Sequence, residues 1–393
     1  MNNFYKITQQ VFFDLSTWLL HPDKYSSEQL SRLQNEEAYL PIISLAHQYW
    51  LVGPLTNRLK SADVWRKLPE KLQSYLIDIE KLYLNRINAI KAETIFVSQL
   101  LVDANIKVVV IKGAASIFNG VADPISNRYM KDIDILVPEQ LQQKAYNILR
   151  KNGYKKDINY FDVNASDAHH APPLLKNNIC YIELHRWVVA KHLKKVLETD
   201  NVWITTVPLH LTDELIVEQL NPTNQVILSI VHSEIQNGGF DQKHIDLHQM
   251  FNLLTIVQHF FGKINWQLVK HCFEKSNQED VLTTTLYVLY RLFELETPIT
   301  NKQSIYAQKH FDECLRRYVK NQGRNSGFSV IMEQLYGYKS RNINLMYGKK
   351  GILGYPIGVM KHLFFHFRKV FSSPHIKSYV LRVINKRQHS DVS

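Results

Sequence analysis

The 393-residue sequence predicts an α+β fold in which a small β-sheet lies between two helical regions. Two observations predict it. Apolar residues recur at helical spacing through the N-terminal region and again beyond Asn201. Between these regions, residues 107–111, 133–137 and 179–185 are short runs of strand-forming residues bounded by charge, glycine or turn signals. The change of spacing therefore divides the chain into helices, a central α/β unit and further helices.

Residues 1–105 are predicted to form an N-terminal helical region. Residues 35–51 place apolar side chains at roughly helical spacing, and residues 75–102 form a longer stretch with charged residues mostly between the apolar ones. Both patterns are typical of helices that bury one face.

The central unit, residues 106–200, is predicted to begin with a strand over residues 107–111. The small residues of Lys112-Gly-Ala-Ala-Ser116 follow directly and pass into a helix. A turn of this kind lets backbone N–H groups approach phosphate oxygens at the helix N-terminus. Lys112 can add a positive charge and Ser116 a hydroxyl. A close-packed turn without a ligand is the alternative.

Two aspartates, Asp132 and Asp134, lie at the start of the second predicted strand. Their side chains point to the same face because side chains alternate along a strand. Mg²⁺ prefers one or two carboxylates together with phosphate oxygens, and two divalent ions about 4 Å apart can hold both reacting oxygens of a displacement at phosphorus. Glu183 in the neighbouring hairpin is the candidate third carboxylate. An Asp-x-Asp pair alone is commonly a surface loop, but here a strand follows it.

A helix and a hairpin complete the central unit. Pro138 is a typical first residue of a helix, which is predicted to end at Gly153. Residues 174–185 are predicted to form a hairpin, because the Asn-Asn pair at 177–178 can adopt the positive φ that a tight turn requires.

The rest of the chain is predicted to be helical with a basic end. Helices are predicted within residues 201–345, over residues 213–220, 226–235 and 245–257, and residues 346–393 are interpreted as a basic tail.

Positive charge is concentrated towards the C-terminus. The chain carries a net charge of +11, but residues 301–393 hold 17 Lys and Arg against 4 Asp and Glu, which leaves residues 1–300 at −2. Such a segment can bind an anionic partner, either nucleic acid or an acidic membrane surface. A solvated helical surface is the alternative. The helix predicted over residues 358–370 either lies at a membrane interface or closes the core.

The bulk features favour a cytoplasmic protein. Cys180, Cys272 and Cys314 have no metal-ligand spacing and are interpreted as reduced thiols. No apolar run approaches the roughly 18 residues of a membrane span, and no secretion signal is recognisable at the N-terminus. Any membrane contact is therefore expected to be peripheral and to involve the basic segment.

Several of these motifs together resemble the uncharacterised bacterial nucleotidyltransferases of the DNA polymerase β superfamily, whose pattern is roughly LKG…RPMGDIDLLV…VELHW. This chain has Ile111-Lys-Gly113, then Arg128-Tyr-Met-Lys-Asp-Ile-Asp-Ile-Leu-Val137, then Ile182-Glu-Leu-His-Arg-Trp187, in the same order. His170-Ala-Pro-Pro173, just ahead of the hairpin, is also similar to that family. The resemblance covers about residues 80–260.

The resemblance implies a small mixed sheet of the polymerase β type. It implies that Asp132, Asp134 and Glu183 bind Mg²⁺ (or Mn²⁺) and act in catalysis, and that Lys112 and Gly113 contact the triphosphate of an NTP such as ATP. The implied reaction transfers an NMP to an acceptor hydroxyl and releases pyrophosphate. Glu183 would hold one ion and take the proton from the acceptor.

Three departures from the family pattern stand close to these motifs. The wider superfamily has Gly-Gly or Gly-Ser where this chain has Gly113-Ala114, and Tyr129 and Lys131 replace a proline and a glycine. No carboxylate is lost, so an active enzyme is expected. The alternative is an inactive nucleotide-binding or regulatory protein that acts through its basic C-terminal surface. A small-molecule acceptor is preferred over tRNA or a protein hydroxyl, because residues 1–300 are not basic.

Some lesser candidates have two interpretations each. Arg128 can neutralise phosphate charge in the transition state or form an ion pair that orders its loop. His185 can orient a ligand carboxylate or be a buried structural histidine. His169-His170 suggests zinc, but no further ligands stand at the right spacing.

Four polar residues of the predicted C-terminal helices are also candidates. His232 and Asp246 are similar to positions that recur in the family, and can line the acceptor side of a cleft or lie on a helix surface. His244 and His248 have a spacing that can bind metal, but a solvated helix face is the preferred interpretation.

Overall fold

The computed structural model describes residues 8–20, 27–124, 128–157, 168–177 and 179–321. These residues form an α+β fold, as predicted, with a seven-stranded mixed sheet among helices. The predicted basic tail, residues 346–393, lies outside the described residues together with its predicted helix.

The helices predicted near the N-terminus are confirmed. The described part of this region contains α1 (Gln9–Leu20), α2 (Ser27–Gln34), α3 (Glu36–Gln48), α4 (Val52–Lys60) and α5 (Glu70–Asp103). The side chain of Asn35 accepts a hydrogen bond from the backbone N–H of Glu37 and so caps α3. Helix α5 has 34 residues, which corresponds to a length of about 51 Å. It is long enough to contribute residues to both of the hydrophobic cores described below.

The sheet runs through the centre of the described fold. Its strands are β1 (Val109–Ile111), β2 (Asp132–Leu136), β3 (Lys155–Lys156), β4 (Leu174–Leu175), β5 (Tyr181–His185), β6 (Val207–His210) and β7 (Ile216–Gln219). The spatial order is β3-β4-β5-β2-β1-β7-β6. β2 is central, antiparallel to β1 and parallel to β5. The sheet is therefore mixed, as the family resemblance implies.

Short helices connect the strands of the central unit. They are α6 (Lys112–Phe118), α7 (Gln142–Lys151) and α8 (Thr199–Ile204). The helix expected from Pro138 begins with a 3-10 turn over Glu139–Leu141 before α7. Gly153 follows α7 with φ +91°, and Asn177 has φ +53° at the predicted hairpin turn between β4 and β5.

The helix predicted over residues 213–220 is wrong, because this segment contains strand β7. β7 forms a hairpin with β6 and pairs in parallel with β1. The free edge of β1 supplies hydrogen bonds that only a strand can use, so tertiary pairing overrides a weak helical pattern. Two strands of the sheet, β6 and β7, consequently lie beyond residue 200. The proposed four-part division of the chain stays a prediction.

Further helices follow the sheet. They are α9 (Pro222–Ile230), α10 (Gly239–Gln242), α11 (Leu247–Phe260), α12 (Trp266–Lys275), α13 (Glu279–Phe293) and α14 (Ile305–Asn321). A π-helical segment, Val231–Gln236, continues α9. The helices predicted over residues 226–235 and 245–257 are thereby confirmed. None of the helices among the described residues combines the length and apolar character of a bilayer crossing.

The N-terminal and C-terminal helices share one hydrophobic core. Phe12 of α1 packs edge-on against Tyr318 of α14, with ring centroids 4.4 Å apart, and Phe13 packs similarly against Phe311. A second core lies between the sheet and α5, α6 and α7. Alternate residues of β1 belong to the two cores, since Val109 faces the first and Val110 the second. The sheet thus separates two apolar layers.

Candidate active site

The register of β2 and β5 brings the predicted carboxylates together. Asp134 lies directly opposite Glu183, and Asp132 lies two positions earlier on the same face of β2. His185 lies two positions after Glu183 and so faces the same side. One ligand atom from each of Asp134, Glu183 and His185 lies within 4.8 Å of the others, a grouping that can hold a metal ion.

Lys112 contacts this carboxylate group from the start of α6. Its Nζ lies 2.7 Å from Oδ1 of Asp134, and both side chains are largely buried. Burial lowers the pKa of Lys112, but the negative charges of Asp134 and Glu183 outweigh burial and raise the pKa overall. Lys112 has φ +54°, a conformation that residues other than glycine adopt rarely. Such backbone strain persists where the surroundings determine it, and it clusters at functional sites.

His185 pairs with both strand carboxylates. Its Nε2 lies 2.8 Å from Oδ1 of Asp134 and 3.6 Å from Oε2 of Glu183, and the ring is fully buried. Burial lowers the pKa of His185, but the hydrogen bonds to the two carboxylates outweigh it and raise the pKa. Burial raises the pKa of Asp134, whereas Lys112 and His185 hold it well below its usual range. Asp134 is therefore ionised and is paired with the Lys112 ammonium group and the His185 ring.

Asp132 has a different electrostatic environment from Asp134. Burial and the charges of Asp134 and Glu183 raise the pKa of Asp132 to about 7. The positive charges of Lys112 and Arg128 act in the opposite direction without cancelling this effect. Three carboxylates thus crowd one partly buried site, where a bound divalent cation would relieve their mutual repulsion.

Three histidine rings form a cluster, and two of them, His170 and His185, lie beside Glu183. The ring centroids of His169 and His170 lie 4.7 Å apart, and each lies 5.2 Å from that of His185. Nε2 of His170 is 3.8 Å from Oε2 of Glu183. Sequence spacing missed this cluster because an isolated β-bridge between His170 and His185 brings the two segments together. Knowledge of that register, rather than of local spacing, would have been needed to find it.

Arg128 lies beside Gly113 and the aspartates. A Cβ atom on Gly113 would lie 2.7 Å from Nη2 of Arg128, so only glycine leaves room for the guanidinium in this position. Nε of Arg128 is buried without a hydrogen-bond partner. Burial lowers the pKa of Arg128 to about 10, although Asp132 and Asp134 act to raise it. Within the described part of the chain, the ion pair considered as its alternative role is not formed.

A cavity of about 450 Å³ adjoins these residues. Its walls come from the end of α3, the loop before β2, the start of α6, and helices α9 and α11. Six of the seven predicted site residues line it: Lys112, Gly113, Ser116, Arg128, Asp132 and Asp134. Glu183 is not among the lining residues and lies beside Asp134 on the neighbouring strand. Ser116 is buried, and its hydroxyl donates to the Lys112 carbonyl at 3.4 Å.

The four polar residues singled out in the C-terminal helices also line the cavity: His232, His244, Asp246 and His248. His244 is exposed, but the solvated face expected for His248 is wrong, because its Nδ1 is buried. Asp246 caps α11, its Oδ1 accepting from the backbone N–H of Gln249 at 3.2 Å.

An aromatic stack that sequence reasoning missed holds the loop before β2. The rings of Trp50 and Tyr129 are parallel with centroids 4.0 Å apart, and Nζ of Lys131 lies 5.0 Å from the Trp50 ring. Nε of Arg86, on α5, donates to the Met130 carbonyl at 2.9 Å. Tyr129 and Lys131, which depart from the family pattern, thus contact the N-terminal helices. No local signal connects Trp50 with residues so far along the chain.

Comparison with known proteins agrees with this geometry. The profile of a family described as uncharacterised nucleotidyltransferase matches residues 36–294, which is well over half of the chain. The match includes the carboxylate strands, the Lys-Gly turn and both helical walls of the cavity. A search of curated proteins gave no match.

Proposed function

The chain belongs to this family of uncharacterised nucleotidyltransferases, and we propose that it uses Mg²⁺ or Mn²⁺ to transfer an NMP from an NTP to an acceptor hydroxyl. One observation carries the proposal. Asp132 and Asp134 line a cavity whose wall also contains the Lys112-Gly113 turn and Arg128, whose Nε has no hydrogen-bond partner among the described residues. Carboxylates for a cation and positive groups for phosphates therefore lie on the same wall.

The residues at the site suit a divalent cation. We assign its binding to Asp134 and Glu183, which form a metal-capable group with His185, and to Asp132, two positions before Asp134 on the same strand face. The His185 ring beside them fixes the orientation of Asp134. The crowded negative charge around Asp132 is the observation that favours a cation there. When bound, the ion would neutralise charge on phosphate oxygens.

The positive groups are assigned to the triphosphate. Lys112 neutralises Asp134 in this structure, and a cation at the carboxylates would release its ammonium group for phosphate oxygens. Arg128 has a buried guanidinium nitrogen without a partner and contacts Gly113. Backbone N–H groups at Gly113 and the hydroxyl of Ser116 complete the set that we propose for phosphate binding.

The chemistry is an in-line displacement at the α-phosphorus. The acceptor oxygen forms a bond to phosphorus, the bond to the β-phosphate oxygen breaks, and pyrophosphate leaves with the bonding electrons. Asp132 lines the cavity whereas Glu183 does not, so we assign removal of the acceptor proton to Asp132. Glu183 keeps the role of holding the cation.

An inactive nucleotide-binding protein is the second candidate. One observation favours it, since Oδ1 of Asp134 is paired with both Lys112 and His185. Such a protein would bind nucleotide through the same cavity and act through other surfaces, including its basic C-terminal segment.

Binding of each radiolabelled NTP with and without Mg²⁺ or Mn²⁺ tests the proposal. We expect at least one NTP to bind more tightly with the metal, and the double variant Asp132→Asn/Asp134→Asn to lose this difference. Asp200→Asn, on an exposed residue of α8, is the matched control. If no NTP responds to metal, or if the double variant behaves like the control, the assignment is wrong. The cell extract supplies possible acceptors. If an NTP binds in a metal-dependent way but no pyrophosphate is released when the extract is added, the inactive protein is favoured.

A further inference from the structure

The wall of the cavity that α9 and α11 form is rich in uncharged polar side chains, although Leu228 and Ile256 also belong to it. Helix α9 and its π-helical continuation contribute Ser229 and His232, and α11 contributes His248, Gln249 and Asn252. Asn252 shares a face of α11 with His248 and with Gln249, because they lie four and three positions before it. The face of a helix that points into a protein normally carries apolar side chains, so this polar wall requires an explanation.

Two atoms on this wall are buried without hydrogen-bond partners. Nδ2 of Asn252 is unpartnered although the residue is only 4% exposed, and Nδ1 of His248 is likewise unpartnered among the described residues. A buried polar atom left unpaired costs about 1–3 kcal/mol. Most buried polar atoms in folded proteins have a partner, so each exception points to a missing ligand or water.

The wall carries almost no charge. Burial lowers the pKa of His232 and of His248 to about 3, so both rings are neutral at physiological pH. Asp246 is the single carboxylate on this wall within the described ranges, and its Oδ1 already accepts from the N–H of Gln249. The other charged groups that line the cavity come from α6, the loop before β2 and β2 itself: Lys112, Arg128, Lys131, Asp132 and Asp134.

We infer that the second substrate is an uncharged, hydroxyl-rich small molecule, of the polyol or sugar class, which binds against α9 and α11. Amide and imidazole groups donate to and accept from hydroxyls without providing net charge. A cationic acceptor would need free carboxylates on this wall, and an anionic polymer such as tRNA would need lysines or arginines there. The volume of about 450 Å³ is that of a small-molecule site. The inference rests on the proposed nucleotidyl transfer and names its acceptor.

A fractionated extract tests the class of acceptor. Small molecules from the source cells are separated by ion exchange into neutral, cationic and anionic pools, and total RNA is the fourth pool. Each is incubated with the protein, Mg²⁺ and α-³²P-labelled NTP. We expect labelled product from the neutral pool, with the mass of one added NMP. Product from another pool alone, or from none while the NTP binds, overturns the inference. An NTP that does not bind contradicts the proposed function and the inference with it.

Variants of the polar wall test the binding surface. Asn252→Leu is expected to lower kcat/KM for the neutral acceptor about tenfold or more. The metal-dependent Kd of the NTP should stay within about twofold, because the charged wall is untouched. Ser229→Ala, which removes a single oxygen, should act in the same direction and serves if Asn252→Leu does not fold. Gln258→Leu, on the exposed side of α11, is the control. Equal losses in the control and the wall variants contradict the inference.

Discussion

At the scale of single residues, the site depends on how Asp134 is neutralised. Oδ1 of Asp134 accepts from Lys112 and from His185, and all three side chains are largely or fully buried. Removing one partner of a buried ion pair leaves the other charge buried without an opposite charge. The free energy of unfolding then falls by more than the net stabilisation that the pair provided. Among the described residues, Asp132 forms no comparable ion pair. Burial and the charges of Asp134 and Glu183 therefore raise the pKa of Asp132, whereas that of Asp134 is lowered.

Lys112→Met should therefore destabilise the protein as well as weaken NTP binding. We expect the free energy of unfolding in urea to fall by about 3 kcal/mol. Lys107→Met is the control, because the ion pair between Lys107 and Glu218 is substantially exposed and should contribute at most about 1 kcal/mol. Equal losses in the two variants would show that Lys112 does not hold a buried charge.

Gly113→Ala should affect binding without unfolding the protein. The added Cβ would lie 2.7 Å from Nη2 of Arg128 and would displace the guanidinium, which is the end of a flexible side chain. We expect the NTP Kd to rise about tenfold while the free energy of unfolding changes by about 1 kcal/mol or less. Gly262→Ala is the control, since nothing lies within 4 Å of its added Cβ. An unchanged Kd would remove Arg128 from the proposed phosphate site.

Glu234 makes stability depend on pH. Burial raises its pKa from 4.5 to about 8, so the folded protein keeps this carboxyl protonated where the unfolded chain has lost the proton. The stability that this protonated carboxyl contributes to the folded state is fully present below about pH 4.5 and is lost as the pH rises to about 8. Against Glu234→Gln, wild type should lose up to about 1.4 kcal/mol per pH unit in that window. Urea unfolding at pH 5, 6.5 and 8 measures this, and a constant difference between the two proteins would contradict it.

At the scale of elements, the sequence predicted the helices and strands whose residue pattern is complete within one short segment. The β-branched run before Lys112 predicted β1, the Asn-Asn pair predicted the β4–β5 hairpin, and long apolar periodicity predicted α5. β7 was missed because its four residues, Ile216–Gln219, become a strand only by pairing with β1 and β6. Glu183 was expected on a strand near the aspartates, but neither the register that sets Asp134 opposite Glu183 nor the bridge that adds His170 was predicted.

The stack of Trp50 on Tyr129 links the N-terminal helices to the loop before β2. Trp50→Ala should lower the free energy of unfolding by about 1 kcal/mol. It should also raise KM for NTP more than it lowers kcat, because the loop carries Arg128. Tyr129→Phe keeps the ring and should behave like wild type. Steady-state kinetics and urea unfolding of both variants check this prediction. If Tyr129→Phe changes KM and the free energy of unfolding as much as Trp50→Ala does, the hydroxyl of Tyr129, rather than the stack, causes the effect.

At the scale of the whole molecule, the cavity is built from segments far apart in the chain. Gln48 and Trp50 come from the N-terminal helices, Asp132 from the sheet and Asn252 from α11. The sequence predicted a helical region on each side of a small sheet. It did not predict that the two regions share one core, because helix pairing depends on contacts between residues far apart in the chain. The carboxylates, and His232 and Asp246 of the polar wall, could thus be named from motifs, whereas the contributions of Ser229, Gln249 and Asn252 required the assembled structure.

Because the two helical regions share a core, they should unfold together. Phe12 is 1% exposed and packs against Tyr318, which is more than 300 residues away in the sequence. Phe12→Ala should lower the free energy of unfolding by about 3–5 kcal/mol and should raise amide hydrogen exchange in α14 as much as in α1. Phe261→Ala is the control, because that ring is 48% exposed. Faster exchange confined to α1 would show instead that the N-terminal helices form a separate folding unit.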